Sequence, residues 1–177
     1  GIASLTHQYV DSVRGTRAVI LDTRKTAPGF RLLDKYAVRM GGGQNHRMGL
    51  YDMVLIKDNH IDGAGGLEKA VYSVRENVGS EMMIEIEVKN LQELQTALDL
   101  PVQRIMLDNM TLKEMEEAVQ ITGGKIPLEA SGNVNLATVR SIAKTGVDYI
   151  SVGALTHSAP VLDISMRLSS GKPEENE

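Results

Sequence analysis

The sequence predicts an α/β chain folded as a parallel (β/α) barrel, TIM-like but irregular or incomplete. Three observations carry this. Short apolar runs suited to buried strands alternate with segments of helical spacing. The unit recurs every roughly 20–30 residues, as parallel strands joined by helical crossovers require. From Met82 onward the strand–helix spacing is short and regular, which favours a barrel over an open doubly wound sheet. Nothing inside the chain reads as a linker, so residues 1–168 form one domain. The polar tail 169–177, SSGKPEENE, is expected to be disordered.

The elements follow in order. Ile2, Leu5, Tyr9 and Val13 share one face of an N-terminal helix. Strands are expected at Ala18–Leu21, Met53–Ile56, Met82–Val88, Ile105–Leu107, Ile126–Leu128 and Tyr149–Val152. Leu67, Ala70, Val71 and Val74 lie on one face of a helix over Leu67–Val78. A helix over Leu91–Leu98 follows Asn90 as N-cap, and one over Thr111–Ile121 has Thr111 and Glu114 as a capping box. A last helix, Val134–Ala143, stops at Lys144-Thr145-Gly146. These strands fall short of the eight of a full barrel, hence the expectation of an irregular one.

Composition removes several function classes. The chain has 177 residues, enough for one sizeable core, and no cysteine, so disulfide and thiolate chemistry are out. Only 3% of residues are aromatic, with no Trp, which argues against a base-stacking surface. No apolar run is long enough to cross a membrane. The N-terminus, GIASLTHQYVDSVRGT, lacks signal-peptide features, and a cytoplasmic location is the expectation. Net charge is -4, so neither nucleic acid nor membrane is an expected partner.

Against that acidic background, Leu21–Ile61 concentrates Arg24, Lys25, Arg31, Lys35, Arg39, His46, Arg47 and Lys57. Several sit in or beside Gly- and Pro-containing turns, where cations can converge on an anion. In (β/α) barrels the site forms at the C-terminal ends of the strands. Those ends read Asp22-Thr23-Arg24-Lys25, Lys57-Asp58, Glu87, Asp108-Asn109, Ser131-Gly132 and Gly153. Glu85 and Glu87 alternate with Ile84, Ile86 and Val88, so both carboxylates point into the barrel. Glu87, nearer the strand end, is the site candidate, and Glu85 is expected to pair with a base deeper inside.

Ser131-Gly132 and Gly153-Ala154 close the last two strands, where such barrels hold phosphates on backbone N–H groups. Gly41-Gly42-Gly43, followed by Gln44-Asn45-His46-Arg47, reads as a ligand-facing loop. His60 and His157 read as capping or surface residues, and His7 carries no role. A His/Cys metal site is not expected, but Glu87 and Asp108 could hold Mg²⁺ through waters and substrate phosphates.

LDTRKTAPGFR, KYAVRMGGGQNHRMGLYDMVLIKDNHI, IEIEVKN, IMLDNM, LEASGNVN and GVDYISVGALTHSAPVLDIS together resemble quinolinate phosphoribosyltransferase, the carboxylating nicotinate-nucleotide diphosphorylase. The resemblance runs in register from about Gly1 to Leu168. It implies a step of NAD biosynthesis. Quinolinate and phosphoribosyl pyrophosphate, with Mg²⁺, give nicotinate mononucleotide, pyrophosphate and CO₂. It places quinolinate on Thr23, Arg24, Lys25, His46, Arg47 and Lys57. It places phosphoribosyl pyrophosphate on Glu87, Asp108, Ser131, Gly132, Gly153 and Ala154. It assigns catalysis to Lys25, Lys57, Glu87 and Asp108, the last two also serving Mg²⁺ indirectly. It implies a dimer or higher homo-oligomer, in which a further N-terminal α/β domain closes the partner's barrel and supplies another Arg. That domain is absent from these residues, so the chain alone is expected to turn over slowly.

Three rival readings stand beside this one. A related pyrophosphorylase-like barrel of a molybdenum locus shares the scaffold. Lys57 could be a Schiff-base lysine of an aldolase-type barrel. The barrel could also be a non-catalytic ligand-binding module.

Overall fold

The computed structural model describes residues 1–168, and the tail expected at 169–177 lies outside the described residues. Strands and helices alternate from α1 (Ile2–Ser12) onward, save for two successive helices between the second and third strands. They are β1 (Val19–Leu21), α2 (Arg31–Met40), β2 (Val54–Ile56), α3 (Asp58–Ala64), α4 (Leu67–Val78), β3 (Ile84–Val88) and α5 (Leu91–Ala97). Then come β4 (Arg104–Asp108), α6 (Leu112–Thr122), β5 (Leu128–Ser131), α7 (Val139–Lys144), β6 (Tyr149–Ser151) and α8 (Ala154–His157).

The strands form one six-stranded sheet in the order β1-β6-β5-β4-β3-β2, parallel throughout. β1 and β2 are its edges, so the barrel is incomplete, as the strand count implied. Gln44, ahead of β2, makes a single parallel bridge to Leu21.

Strand alternation divides the sheet into two faces. Ile84, Ile86, Val88, Ile105, Leu107, Leu128, Ala130 and Ile150 pack with Leu94, Ala97, Met115, Ala118, Val139 and Ile142 of the helices. Burying each large aliphatic side chain contributes about 1.5–3 kcal/mol. The opposite face carries Leu55, Glu85, Glu87, Met106, Glu129 and Ser151. It is polar at several positions, and it is the face that builds the site.

The local signals hold where a named chemistry supports them. Thr111 and Glu114 form the capping box of α6, and Asn90 Oδ1 accepts from Glu93 N at 2.8 Å to start α5. β5 begins two residues later than expected. Pro127 has no N–H and sits before the strand, where only its carbonyl is needed, accepting from Ile105 N.

The expected helix over Val134–Ala143 is shorter, because Asn135 Oδ1 accepts from Ala137 N and Thr138 N and holds a turn there. Helix α2 is not expected from the apolar spacing. Its apolar pattern is inverted: Asp34, Lys35 and Val38 are buried while Leu32, Leu33, Tyr36 and Met40 are exposed.

The expectation for the glycine run is corrected. A Cβ on Gly41 would lie 2.4 Å from Ala3 O, and one on Gly43 would lie 2.9 Å from Thr6 Cγ2. These glycines let α1 pack onto the loop; they do not face a ligand. Only His46 and Arg47 from that stretch reach the site.

Candidate active site

A cavity of about 220 Å³ opens at the C-terminal ends of the strands. Thr23, Arg24 and Lys25 follow β1, His46 and Arg47 precede β2, and Lys57 follows it. Glu87 comes from β3 and Ser131 from β5, with Leu55, Met106 and Ser151 completing the wall. Parallel strands bring these distant segments to one end, which is why the cations converge.

The cationic rim is held from below. Asp22, fully buried, takes Lys35 Nζ at 2.5 Å, His46 N at 2.9 Å and Asn45 Nδ2 at 2.5 Å. Lys35 Nζ also donates to His46 O at 2.9 Å. Burial pushes the Asp22 carboxyl up, and Lys35 opposes that. Lys35 is therefore a strut of the loop and not a ligand-facing cation. Arg31 reaches Thr26 and Met48 O, and Arg39 lies over Tyr36, so both leave the site as well.

Arg47 Nη1 donates to Met53 O at 3.1 Å, and Arg47 N donates to His46 Nδ1 at 2.8 Å. Burial and the neighbouring Arg24 push the Arg47 guanidinium below its ordinary value. Crowded cations of this kind gain most when an anion arrives between them. Lys57 Nζ meets Glu87 Oε1 at 2.5 Å across the β2–β3 edge of the pocket. The Thr23 and Thr156 hydroxyls lie 3.2 Å apart.

Below the pocket sits a buried polar layer that sequence reading only half found. His46 Nε2 is 2.9 Å from Glu85 Oε2 and 3.6 Å from Glu129 Oε2. The Glu85 contact is off-line for a hydrogen bond, leaving Nε2 and both Glu85 oxygens without an aligned partner. Glu129 accepts from Arg104 Nη1 at 3.1 Å and from Ser151 Oγ. Arg104 also lies over the Tyr149 ring at 4.2 Å. Burial raises Glu85 to about 7, and burial plus Glu85 raises Glu129 to about 8. Burial lowers the His46 imidazole. The deeper base expected as a partner for Glu85 is corrected: its nearest basic neighbour is His46, which lines the pocket and makes no aligned hydrogen bond to it.

Among the described residues, His46, Glu85 and Glu129 are the one close group able to hold a metal ion. The Arg104 guanidinium already supplies positive charge there, so the group fits an internal ion network better than a metal. Glu87 and Asp108 end adjacent strands β3 and β4. With Glu87 committed to Lys57, this sparse oxygen set suits Mg²⁺ held mainly through waters and phosphates.

Asp108, Gly132, Gly153 and Ala154 do not line the cationic pocket. Asp108 pairs in register with Ser131, and the other three follow β5 and β6 at the same end of the sheet. Among the described residues, the backbone N–H groups of Gly132, Asn133, Gly153 and Ala154 donate to nothing. A Cβ on Gly153 would lie 2.8 Å from His157 Nε2, so that ring folds back over the loop. His157 Nδ1 is 2.6 Å from Ser158 Oγ, the surface bond expected of it. His60 accepts from Lys57 N through Nδ1, the capping role expected. Leu55, Met106, Ser151 and Glu129 were not singled out from sequence, although inward strand alternation marks them.

Known proteins resemble this chain over nearly its whole length. The family model described as "Quinolinate phosphoribosyl transferase, C-terminal domain" matches residues 2–167. The chain is 48% identical over 188 residues to a Nicotiana tabacum protein named quinolinate phosphoribosyltransferase [decarboxylating] 2b, mitochondrial, covering 96% of this chain and 53% of that one. It is 48% identical over 171 residues to a probable nicotinate-nucleotide pyrophosphorylase [carboxylating] of Synechocystis, covering 95% and 58%. The structure of the nicotinate-nucleotide pyrophosphorylase from Francisella tularensis superposes with a TM-score of 0.87 at 48% identity, covering 90% and 57%. The chain thus spans little more than half the length of these relatives. It belongs to the family of quinolinate phosphoribosyl transferase C-terminal domains.

Proposed function

We propose that this domain carries the site at which phosphoribosyl pyrophosphate transfers its ribosyl group to quinolinate, with loss of CO₂. The observation that carries the reading is the convergence of Arg24, Lys25, His46, Arg47 and Lys57 on one pocket of an otherwise acidic chain. A pyridine dicarboxylate needs several cations in a small space, and planar carboxylates suit the guanidinium groups of Arg24 and Arg47. Thr23 adds a hydroxyl beside them.

In this reading quinolinate lies on the cations with its ring nitrogen toward Glu87. Phosphoribosyl pyrophosphate lies across the ends of β4, β5 and β6. Its 5-phosphate meets the free N–H groups around Ser131-Gly132 and Gly153-Ala154, with His157 beside them. Glu87 and Asp108 hold the ribose hydroxyls, and Lys25 and Lys57 face the departing pyrophosphate. The ring nitrogen attacks the anomeric carbon as pyrophosphate leaves, and the neighbouring carboxylates stabilise the oxocarbenium character of the transition state. The pyridinium nitrogen then accepts the electron pair released when the 2-carboxylate departs as CO₂. Mg²⁺, held through waters near Glu87 and Asp108, would neutralise the pyrophosphate.

A Schiff-base role for Lys57 is disfavoured by its contact with Glu87, since a salt-bridged ammonium is a poor nucleophile. The reading extends to a cytoplasmic homo-oligomer of at least two copies. Titration calorimetry tests the binding half: quinolinate should bind tighter than nicotinate, which lacks the 2-carboxylate. Equal affinities would count against it.

A further inference from the structure

The loops after β4 and β5 are locked together by a side chain to which no role has yet been given. Asn109 follows Asp108 and holds a left-handed backbone, φ 54°. Gly132 and Asn133 do the same across from it, at φ 98° and φ 52°. Asn109 N donates to Ser131 O at 2.9 Å, and Asn109 Oδ1 accepts from Asn133 Nδ2 at 3.1 Å. A Cβ on Gly132 would lie 2.1 Å from Asn109 Oδ1 and 2.5 Å from Cγ, so the amide occupies the space under the glycine.

Turns can gather successive backbone N–H groups into a concavity suited to an anion, and Gly132 and Asn133 lie in such a turn directly after β5. The N–H groups of Gly132 and Asn133 are unused among the described residues, as such a concavity requires. The Asn109 N to Ser131 O bond anchors the start of the loop, but beyond it Gly132 by itself could adopt many conformations. The Asn109 amide supplies the constraint. It fills the space below Gly132, ties down Asn133, and does so from the residue next to Asp108. One side chain thereby couples the ribose-facing end of β4 to the phosphate-facing loop after β5.

We propose that Asn109 is a positioning residue that sets the Ser131–Asn133 loop to receive the phosphate of the phosphoribosyl donor. This rests on the functional reading above and adds a residue to it. Asn109 need not touch the donor; it acts through Gly132 and Asn133.

The test uses Asn109→Gly in the intact protein. Glycine tolerates the left-handed backbone and removes the side chain from Cβ outward, taking away the fill under Gly132 and the bond to Asn133 without backbone strain. Asn133→Gly, which removes the donor of the 3.1 Å bond and leaves Asn109 in place, is the second variant. The expected result is a rise of about five- to tenfold in KM for phosphoribosyl pyrophosphate in Asn109→Gly, the scale of one neutral hydrogen bond. Asn133→Gly should shift it in the same direction. Affinity for quinolinate alone should stay within about twofold, and the thermal midpoint should hardly move.

Equal losses toward both substrates, or a loss that tracks a lower thermal midpoint, would show Asn109 to be scaffold only. Unchanged donor KM in both variants would overturn the proposal. Wild-type protein that binds neither ribose 5-phosphate nor phosphoribosyl pyrophosphate would overturn the functional reading itself, and the positioning role with it.

Discussion

Lys57 Nζ lies 2.5 Å from Glu87 Oε1, joining the end of β2 to the end of β3 at the wall of the pocket. Each group limits what the other can do. Glu87 holds Lys57 across the wall, and Lys57 keeps the acidic side chain of Glu87 turned into a site lined by cations. Glu87→Gln should lower kcat on the order of 10²-fold, the usual scale for losing one electrostatic contact to the transition state. Lys57→Met should weaken quinolinate binding and also leave Glu87 repelling it. The double variant should therefore fall well short of the summed single effects, which steady-state kinetics on all four proteins will show. Additive effects would mean that the pair is not a unit.

Arg47 is the most constrained of the rim cations, through Met53 O and His46 Nδ1. Arg47→Ala should weaken quinolinate binding by about 1.5–3 kcal/mol, the range for hydrogen bonds to charged groups. Calorimetry gives this directly. A loss under about 0.5 kcal/mol, within the range of an ordinary surface substitution, would remove Arg47 from the binding set.

Gly153 tests the phosphate side. A side chain there collides with His157 Nε2, 2.8 Å from the Cβ position. Gly153→Val should raise the KM for phosphoribosyl pyrophosphate while leaving quinolinate affinity largely intact. Unchanged donor KM would place the phosphate elsewhere.

The buried carboxyls predict a pH dependence of stability. Glu85 and Glu129 titrate at about 7 and about 8 in the folded protein. Unfolded, they return to about 4.3. Between those values the folded state binds protons that the unfolded state has released, so stability falls as pH rises. His46, lowered by burial, acts in the opposite sense, but only below its ordinary value near about 6.5. From pH 7 to 9 the carboxyls dominate, and the denaturant midpoint should decline. Glu129→Gln should flatten that decline. Parallel slopes for the two proteins would contradict the assignment.

The parts of this site legible in sequence were those set by local pattern. Strand alternation put Glu87 inside and the apolar runs put Arg24, Lys57 and Ser131 at one end. What stayed hidden depends on tertiary partners. Lys35 looks like a site cation until Asp22 is found beside it in the interior. Arg104 and Glu129, 25 positions apart, form one contact only because β4 and β5 are neighbours. α2 escaped notice because its exposed face is the apolar one. The strand-end pattern places Asp108 in the site, and the residue lies at the right end of the sheet but outside the cationic pocket.

The most direct test of the account supplies the intact protein with phosphoribosyl pyrophosphate, Mg²⁺ and quinolinate labelled at the 2-carboxylate. Labelled CO₂ should be released in equal amount with nicotinate mononucleotide, and only when all three are present. Quinolinate bound but neither product formed would reduce the domain to a binding module. Labelled CO₂ released without phosphoribosyl pyrophosphate would contradict the proposed order of ribosyl transfer before decarboxylation.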